Sequence, residues 1–290
     1  MARSLGIDPA TMIDLSASLN PFAPDVTRLA GRHLDALVPY PDDGRATRAL
    51  AAAIGVDPAL LVLTNGGAEA IALVAGVVGT GEVVEPEFSL YRRHLESVVD
   101  GTGRWRSDPS NPCGTLASAS DTAAVWDEAF YPLATGSWTR GDVGAWRLGS
   151  LTKLWACAGL RLGFVIAPDA AGAGAVRARR PRWSVNGLAL ALVDDLLERT
   201  DLGAWASSIR AVRGEFSHAL RTIGYDVTET EANWVLVHDV VDLRSRVAPL
   251  GVAVRDCTSF GMPRTARVAL PRDADIERVV SAFDRCRRIG

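Results

Sequence analysis

Between residues 61 and 168, short apolar segments alternate with segments that carry apolar residues at helical spacing. Residues 61–65 (LVLTN) are rich in strand-forming side chains, and residues 66–79 place alanine and leucine at helical intervals. Further short strands are predicted at 81–88, 122–130, 145–153 and 160–168, and residues 91–99 form an amphipathic segment. This alternation predicts an α/β fold with a mostly parallel sheet sandwiched by helices.

The pattern changes after an alanine- and glycine-rich stretch at residues 169–182. Long amphipathic helices are predicted at 185–200 and 202–224, and a last helix is predicted at 274–288. Short strands are predicted between the second and third of these helices at YDVTET, NWVLVHDV, GVAVRDC and ARVALP. The second part of the chain is therefore expected to form a smaller α+β C-terminal domain.

The chain of 290 residues is long enough for about two domains. We expect an N-terminal arm at 1–45 that packs with the small domain, a large domain at 46–180 and a small C-terminal domain at 181–290. In a doubly wound sheet, ligands bind outside the carboxyl ends of the strands. The residues that follow each predicted strand are therefore the candidates for chemistry.

The composition is that of a soluble globular protein, with 48% hydrophobic and 22% charged residues. A formal net charge of −3 gives no indication of a nucleic-acid or membrane partner, and the arginine runs at 177–182 and 285–288 fit a solvated surface. The four cysteines lack CxxC spacing, which favours a reduced, cytoplasmic chain over a disulfide framework. The four histidines form no HxxxH or HExxH pattern, so no metal site is expected. Neither a signal peptide nor an apolar stretch of about 18 residues is visible.

Lys153 is the only lysine among 31 basic residues, and all the others are arginine. Arginine-rich codon usage explains why lysine is rare, but it does not explain why one lysine is kept. Because Lys153 follows a strand that breaks at a Gly-Ser turn, its amine can be partly desolvated, which lowers its pKa and favours a Schiff base. Ser150, Thr152 and Arg161 beside it suit a bound phosphate ester. A surface lysine is the alternative for this position taken alone.

Three other strand ends carry candidate groups. Gly66 and Gly67 lie between a strand and a helix, where the backbone can approach a ligand, although such turns are common. Asp127 ends a strand, where a buried acid needs a positive partner such as the protonated ring nitrogen of a cofactor. A helix cap or a structural ion pair fits Asp127 equally well. Asn111 precedes Pro112 in a turn that can aim its amide, or that is a plain β-turn.

In this order along the chain, the motifs resemble those of fold-type I pyridoxal-phosphate (PLP) enzymes of the histidinol-phosphate aminotransferase group. The segments that carry the resemblance are YPDDGRATRALAAAIGV, LTNGGAEAI, EPEFSLYRRHL, SNPCG, WDEAF, SLTKLWACAGLRLGF, RWSVNGLA and ANWVLV. Within the group, the chain is most similar to the threonine-phosphate decarboxylases of cobalamin biosynthesis, whose opening helix-turn-strand resembles residues 5–24. The resemblance implies a shortened PLP-dependent transferase fold of type I and a homodimer.

The resemblance also implies roles for individual residues. Lys153 would bind the cofactor aldehyde and later move a proton, Asp127 would keep the pyridine nitrogen protonated, and Tyr91 would stack on the ring. Asn111 would hydrogen-bond the cofactor's phenolic oxygen. The cofactor phosphate would be bound by Gly67, Ala68, Glu69, Ser150, Thr152 and Arg161, with Tyr40 reaching over from a second subunit. The substrate would be bound by Asn20 at the entrance of the site and by Arg255 and Arg267 at its acid groups.

The chain departs from the family pattern in two respects. Phe130 stands where most aminotransferases of this fold have a tyrosine, which favours the decarboxylase branch and removes one hydrogen bond, worth about 1 kcal/mol. The segments between Tyr91 and Asn111 and between Pro112 and Asp127 are short for the family. The sheet is therefore expected to have lost a strand or a covering helix.

The leading hypothesis is a PLP-dependent carboxy-lyase that converts L-threonine O-3-phosphate into 1-amino-2-propanol phosphate. An aminotransferase of the histidinol-phosphate type is the first alternative, because the same residues serve both reactions. A trimmed homologue that binds PLP without catalysis is the second alternative, and the shortened middle of the chain motivates it.

Overall fold

The computed structural model of the chain describes residues 7–8 and 11–289. The first residues of the predicted N-terminal arm and of the opening motif at 5–24 lie outside the described residues, as does residue 290. The strands are β1 (Ile13–Asp14), β2 (Leu61–Thr64), β3 (Thr80–Val83), β4 (Ser97–Val98), β5 (Arg104–Ser107), β6 (Val125–Asp127), β7 (Trp146–Gly149), β8 (Gly163–Ile166), β9 (Asp226–Glu229), β10 (Trp234–His238), β11 (Val252–Ala253), β12 (Arg255–Asp256) and β13 (Ala266–Ala269). The helices are α1 (Val26–Ala30), α2 (Gly44–Ile54), α3 (Gly66–Val78), α4 (Leu90–His94), α5 (Tyr131–Thr135), α6 (Leu151–Leu154), α7 (Ala170–Arg179), α8 (Gly187–Ala191), α9 (Val193–Leu197), α10 (Leu202–Thr222), α11 (Leu243–Val247) and α12 (Ile276–Ile289).

Within the described residues, a seven-stranded sheet in the order β2-β8-β7-β6-β5-β3-β4 forms the larger of the sheets. Strands β4, β3, β5, β6 and β7 run parallel to one another, whereas β8 runs antiparallel to both β7 and β2. The predicted α/β fold with a mostly parallel sheet is confirmed. Because parallel strands end at one edge of a sheet, the segments that follow Ser107, Asp127 and Gly149 meet at the same edge.

Helices cover the two faces of this sheet. On one face, α3, α4 and α7 pack against buried side chains such as Trp105, Val125 and Val165. On the other face, Leu63 and Phe164 belong to the main core, to which α2, α6, α9 and α10 also contribute. Successive side chains of a strand point to opposite faces, so strands that are covered on both sides, such as β2 and β8, are buried throughout.

Residues 108–124, all of which the structure describes, form a loop. This is one of the two segments that are short for the family, where the loss of a covering helix was expected. The sheet surface beside this loop is covered by Arg140, whose guanidinium lies 4.2 Å from the centroid of the fully buried Trp126 ring. The Nη1 atom of Arg140 also bonds the carboxylate of Asp108 at 2.7 Å. A cation–π contact and an ion pair therefore cover the surface that a helix would otherwise protect.

The second part of the chain forms a four-stranded antiparallel sheet in the order β12-β13-β10-β9. Helix α10 packs against β9 and β10, and α12 packs against α10 and α11. Strand β1 pairs in parallel with β11, so the N-terminal segment joins this part of the molecule. The expected α+β arrangement is present, while the domain boundaries stay a prediction. None of the helices in the described part of the chain is long and apolar enough to cross a membrane.

Two predicted elements are divided in the structure. The helix predicted at 185–200 forms two helices, α8 and α9, which meet at Leu192. The backbone N–H of Leu192 is shared between two preceding carbonyl oxygens, and the helical turn is tighter there. The single strand predicted at GVAVRDC is wrong, because Val252–Ala253 pair with β1 whereas Arg255–Asp256 pair with β13. The second division places Arg255 next to the site described below.

Candidate active site

Lys153 lies on the short helix α6, which follows β7 at the carboxyl edge of the large sheet. Its Nζ donates a hydrogen bond to the carbonyl oxygen of Ala17 at 2.6 Å and lies 5.7 Å from the centroid of the Phe130 ring. Burial, together with the guanidinium groups of Arg267 and Arg161, lowers the pKa of Lys153 to about 8. An amine with this pKa is partly neutral near pH 7, as a nucleophile must be.

Asp127 is the last residue of β6, and both of its carboxylate oxygens accept hydrogen bonds. Oδ2 accepts from the hydroxyl of Tyr91 at 2.8 Å, and Oδ1 accepts from the backbone N–H of Ala129 at 3.0 Å. Burial raises the pKa of Asp127, and these two donors and the charge of Lys153 oppose the rise. Tyr91 is fully buried with its ring 5.6 Å from that of Trp105, so its stacking on a cofactor stays a prediction.

The start of α3 packs tightly against the groups predicted to bind a phosphate. Gly66 has a φ of +78°, and a Cβ there would lie 2.6 Å from Nη2 of Arg161. A Cβ on Gly67 would lie 3.4 Å from the Cβ of Ser150. The free N–H groups of a 13-residue helix, a guanidinium and a hydroxyl therefore converge on one place, and this combination binds anions. We call Gly66, Gly67, Ser150 and Arg161 the cradle.

Three further residues predicted to bind phosphate lie beside the cradle. Ala68 and Glu69 are in the first turn of α3, and the Glu69 carboxylate accepts a hydrogen bond from the backbone N–H of Asn65 at 2.6 Å. Thr152 is buried, and its hydroxyl oxygen lies 3.3 Å from both the backbone N and O of Leu162. The Thr152 hydroxyl therefore fastens α6 to the segment before β8, and its contact with a phosphate stays a prediction.

Arg255 and Arg267 face each other across the β12–β13 pair. Arg267 is buried and donates from Nη1 to the amide oxygen of Asn111 at 2.5 Å, while Arg255 donates to the hydroxyl of Ser259 at 3.0 Å. Burial lowers the pKa of Arg267 to about 10. None of the ion pairs among the described residues includes either arginine. Two neighbouring cations that form no ion pair are unfavourable unless an anion joins them.

Residues 16–20, which we call the strap, cross the site and join α6 to the four-stranded sheet. The strap residue Asn20 donates from its backbone N–H to the carbonyl oxygen of Lys153 at 3.1 Å and from Nδ2 to that of Leu154 at 2.9 Å. Asn233 donates from Nδ2 to the strap at Ser18 O, 3.0 Å away. Asn20 is buried, and its contacts with the backbone of α6 hold Lys153 in place, while its contact with substrate stays a prediction.

Tyr40 lies apart from these groups. It is 77% exposed, and its ring stacks on that of Trp183 with 4.4 Å between the centroids. Its described contacts do not join it to Lys153 or Arg161. Its role stays a prediction.

Four residues that connect the predicted groups were not predicted from the sequence: Ala17, Ser107, Asn233 and Glu87. Ala17 acts through its backbone carbonyl, which any residue provides. Glu87 follows β3 and hydrogen-bonds Ser107, which ends β5. An acid just beyond a strand was the signal that indicated Asp127, and the same signal was present for Glu87.

The family model for class I and II aminotransferases matches residues 107–283. The chain belongs to the aminotransferase class I and II family. The cofactor predicted from the sequence is confirmed, because this is a family of PLP-dependent enzymes.

Relatives of this aminotransferase-family chain have two different activities. A threonine-phosphate decarboxylase from Salmonella typhimurium is 27% identical, and the alignment covers 97% of this chain and 93% of that protein. A histidinol-phosphate aminotransferase from Halorubrum lacusprofundi is 27% identical and covers 93% of this chain and 87% of that protein. The crystal structure of histidinol-phosphate aminotransferase from Sinorhizobium meliloti in complex with pyridoxal-5'-phosphate has the same fold, with a TM-score of 0.85, 17% identity and coverage of 100% of this chain and 94% of that chain.

The groups at the edge of the large sheet fit PLP. The cradle offers helix N–H groups, the Ser150 hydroxyl and the Arg161 guanidinium to a phosphate. Asp127 offers a carboxylate to a protonated pyridine nitrogen, and Lys153 offers a partly neutral amine to an aldehyde. Asn111 lies in the loop after β5 and offers an amide to the phenolic oxygen. The donor set therefore contains one partner for each polar group of the cofactor.

The reaction of the apo-protein with PLP is expected to accelerate as pH rises and to level off above about 8, because only the neutral amine of Lys153 attacks the aldehyde. Arg267→Met removes a positive charge that lowers the pKa of Lys153. The midpoint of the curve of rate against pH should therefore move to higher pH. Stopped-flow absorbance of PLP measures the rate. Arg285→Met changes an exposed arginine and should leave the midpoint in place. A wild-type midpoint near the ordinary lysine value of 10.5 would contradict the assignment.

Proposed function

We propose that the chain is a PLP-dependent decarboxylase that converts L-threonine O-3-phosphate into 1-amino-2-propanol phosphate, a precursor in cobalamin biosynthesis. The observation that carries the proposal is the pair of arginines, Arg255 and Arg267, on neighbouring strands, neither of which forms an ion pair among the described residues. A substrate with both a carboxylate and a phosphate offers one anion to each guanidinium. Phe130 beside Lys153, in place of the tyrosine of most aminotransferases of this fold, also supports the decarboxylase.

The residues of this site have separate tasks in the proposed reaction. Bound PLP would supply an electron sink for the electron pair that is left when a bond at the substrate α-carbon breaks. Lys153 would hold the cofactor aldehyde through its amine, and its Nζ would carry the proton that replaces CO₂ on the α-carbon. Asp127 holds a proton on the pyridine nitrogen by its negative charge. Arg267 and Arg255 orient the substrate through its acid groups.

Burial of these groups contributes to the chemistry. The carboxylate of Asp127 and the amine of Lys153 lie where little water screens them, so their charges act strongly on a bound ring. The strap closes over Lys153 through Ala17 and limits the access of water to the amine. A site that excludes water favours loss of CO₂. The substrate carboxylate loses its hydration shell there, which destabilises the charged group relative to the uncharged CO₂ that it becomes.

An aminotransferase of the histidinol-phosphate type is the second candidate. It is favoured by the relative from Halorubrum lacusprofundi, whose identity of 27% equals that of the decarboxylase from Salmonella typhimurium. The two reactions differ in the bond at the α-carbon that stands perpendicular to the cofactor ring, and the same lysine, aspartate and arginines serve both. A PLP-binding homologue without catalysis is disfavoured, because Lys153, Asp127 and the arginine pair are all present.

Purified PLP-loaded protein is expected to release CO₂ from L-threonine O-3-phosphate, and to form one 1-amino-2-propanol phosphate for each CO₂. A CO₂ electrode and mass spectrometry of the product measure the reaction, and threonine without phosphate is the matched control. Arg255→Met should raise KM by about tenfold or more, because a charge-assisted contact with the substrate is lost. Glutamate formation from histidinol phosphate and 2-oxoglutarate, without CO₂ release from threonine phosphate, would establish the aminotransferase instead.

The proposal includes a homodimer in the cytoplasm. Its support is an exposed apolar surface of Leu34, Leu37, Val38, Tyr40 and Trp183, which a second copy of the chain would cover. Tyr40, which is exposed and stacks on Trp183, would reach the cofactor phosphate of the second subunit. The reduced cysteines support the cytoplasmic location.

A further inference from the structure

Glu87 is a buried acid beside the proposed active site. It lies between β3 and α4 and is only 5% exposed. Both of its carboxylate oxygens accept hydrogen bonds from one residue, Ser107, with Oε1 at 3.0 Å from the backbone N and Oε2 at 2.5 Å from Oγ. No ion pair among residues 7–8 and 11–289 includes Glu87. A buried carboxylate without a cation is costly, so its retention calls for an explanation beyond packing.

A continuous series of hydrogen bonds joins Glu87 to the substrate side of the site. The hydroxyl oxygen of Ser107, which contacts Glu87, also accepts a hydrogen bond from the backbone N–H of Asn111 at 2.8 Å. The amide oxygen of Asn111 in turn accepts from Nη1 of Arg267. A change in the Glu87 carboxyl group therefore reaches both the amide that would contact PLP and the arginine that would bind substrate.

Glu87 also acts on Asp127 through its charge. Ser107 pairs in register with Asp127 across β5 and β6, which places the two acids near one another. Burial raises the pKa of Glu87 to about 7; the hydrogen bonds from Ser107 oppose the rise, and the negative charge of Asp127 adds to it. The other titratable groups that face Glu87 are Tyr91 on α4 and Cys113 in the loop after β5, and both feel its charge. The backbone N–H of Glu87 donates a hydrogen bond to the carboxylate of Glu85, which is exposed.

We propose that Glu87 is a positioning residue of the cofactor site, which holds Asn111 through Ser107 and strengthens, by its negative charge, the hold of Asp127 on the proton of the cofactor nitrogen. The proposal rests on the proposed roles of Asp127 and Asn111 but not on the choice between decarboxylation and transamination. When Glu87 is ionised, two carboxylates contribute negative charge to the cofactor site; when it is protonated, only Asp127 does. The charge of the cofactor site would thereby depend on pH.

The charge is tested by the Glu87→Gln variant, which keeps the shape but cannot ionise. Its amide oxygen can still accept from the backbone N–H of Ser107, and its amide N–H would donate to Ser107 Oγ, which reverses that bond. The near-visible absorbance of the PLP-loaded protein is recorded against pH. Loss of a negative charge destabilises the protonated form of the bound cofactor. The midpoint of the absorbance titration should therefore fall by about half a pH unit. Glu96→Gln removes the same charge from an exposed position and should leave the midpoint unchanged. A Glu87→Gln midpoint that equals that of the wild type overturns the charge role.

The positioning is tested by comparing Glu87→Ala with Glu87→Gln. The alanine variant loses the contacts to Ser107, so PLP binding should weaken about tenfold, whereas the glutamine variant should stay within about threefold of the wild type. Equal weakening in both variants contradicts the positioning role. Carboxyl ¹³C NMR of the full chain, assigned by the signal missing in Glu87→Gln, should show Glu87 titrating near 7, and titration at 4.5 contradicts the proposal. None of these measurements uses turnover, so failure of the proposed reaction is separately visible.

Discussion

Lys153→Ala is expected to bind PLP without covalent attachment and to lose activity on threonine phosphate by about 10³-fold or more. Lys153 is the only lysine of the chain, so no other side chain offers a primary amine. Its amine is also buried beside the groups proposed to orient the substrate. A small amine added in solution is not held in this position, so it should not restore the activity. Borohydride reduction of the PLP-loaded protein, followed by mass spectrometry of its peptides, measures the attachment directly.

The matched control is Lys153→Arg. This variant keeps a positive charge near Ala17 and Asp127 but cannot form the covalent bond, because the guanidinium stays protonated. Both variants should therefore lack the reduced PLP adduct, while the arginine variant separates the loss of the nucleophile from the loss of the charge. An adduct that persists in the alanine variant would show that another amine binds the aldehyde, and the assignment of Lys153 would be wrong.

Gly163→Ala is expected to lower the free energy of unfolding by about 3 kcal/mol and to weaken PLP binding. A Cβ on Gly163 would lie 2.6 Å from the backbone C of Gly66, 2.7 Å from the N of Gly67 and 2.9 Å from the O of Gly149. These contacts are all with backbone, so no side chain can turn away to relieve them. Relief requires that β8, β7 and the start of α3 move apart, which would displace the N–H groups of the cradle. Urea denaturation and PLP titration measure the two effects.

Gly159→Ala is the control for this change. Gly159 lies four residues before Gly163, and a Cβ there would have no atom within 4 Å. Its unfolding free energy should stay within about 0.5 kcal/mol of the wild type. If Gly163→Ala is as stable as this control, the packing of the cradle is looser than the structure indicates. If it is destabilised but binds PLP normally, the cradle does not hold the cofactor phosphate.

The strands of the large sheet could be predicted because their signal is local. Residues 61–65 and 160–168 are short, apolar and flanked by turn residues, and the structure places β2 and β8 within them. The division of GVAVRDC could not be predicted in the same way, because it depends on pairing with β1 and β13, which are distant in sequence. The local sequence pattern therefore predicts where a strand occurs, whereas pairing with distant segments determines where the strand ends and which strand it pairs with.

The candidate site shows a similar limit. Lys153 was accessible to sequence reasoning because it breaks a composition in which every other basic residue is arginine. Asp127 was accessible because an acid at the end of a buried strand is costly without a partner. The role of Ala17 lies in a backbone carbonyl, which has no residue signature. The contact of Glu87 with Ser107 joins two separate strand ends, so it becomes visible only when β3 and β5 are seen side by side.

The strap joins parts of the polypeptide that are synthesised at very different times. It leaves the ribosome 215 residues before its partner Asn233 and 251 residues before its partner Arg267. Before those partners emerge, the strap can be held only by α6, through the bonds of Asn20 to the carbonyl oxygens of Lys153 and Leu154 and the bond of Lys153 to Ala17. Its contacts with the smaller sheet form only after translation has passed residue 267, so the site is completed as one of the last events of folding.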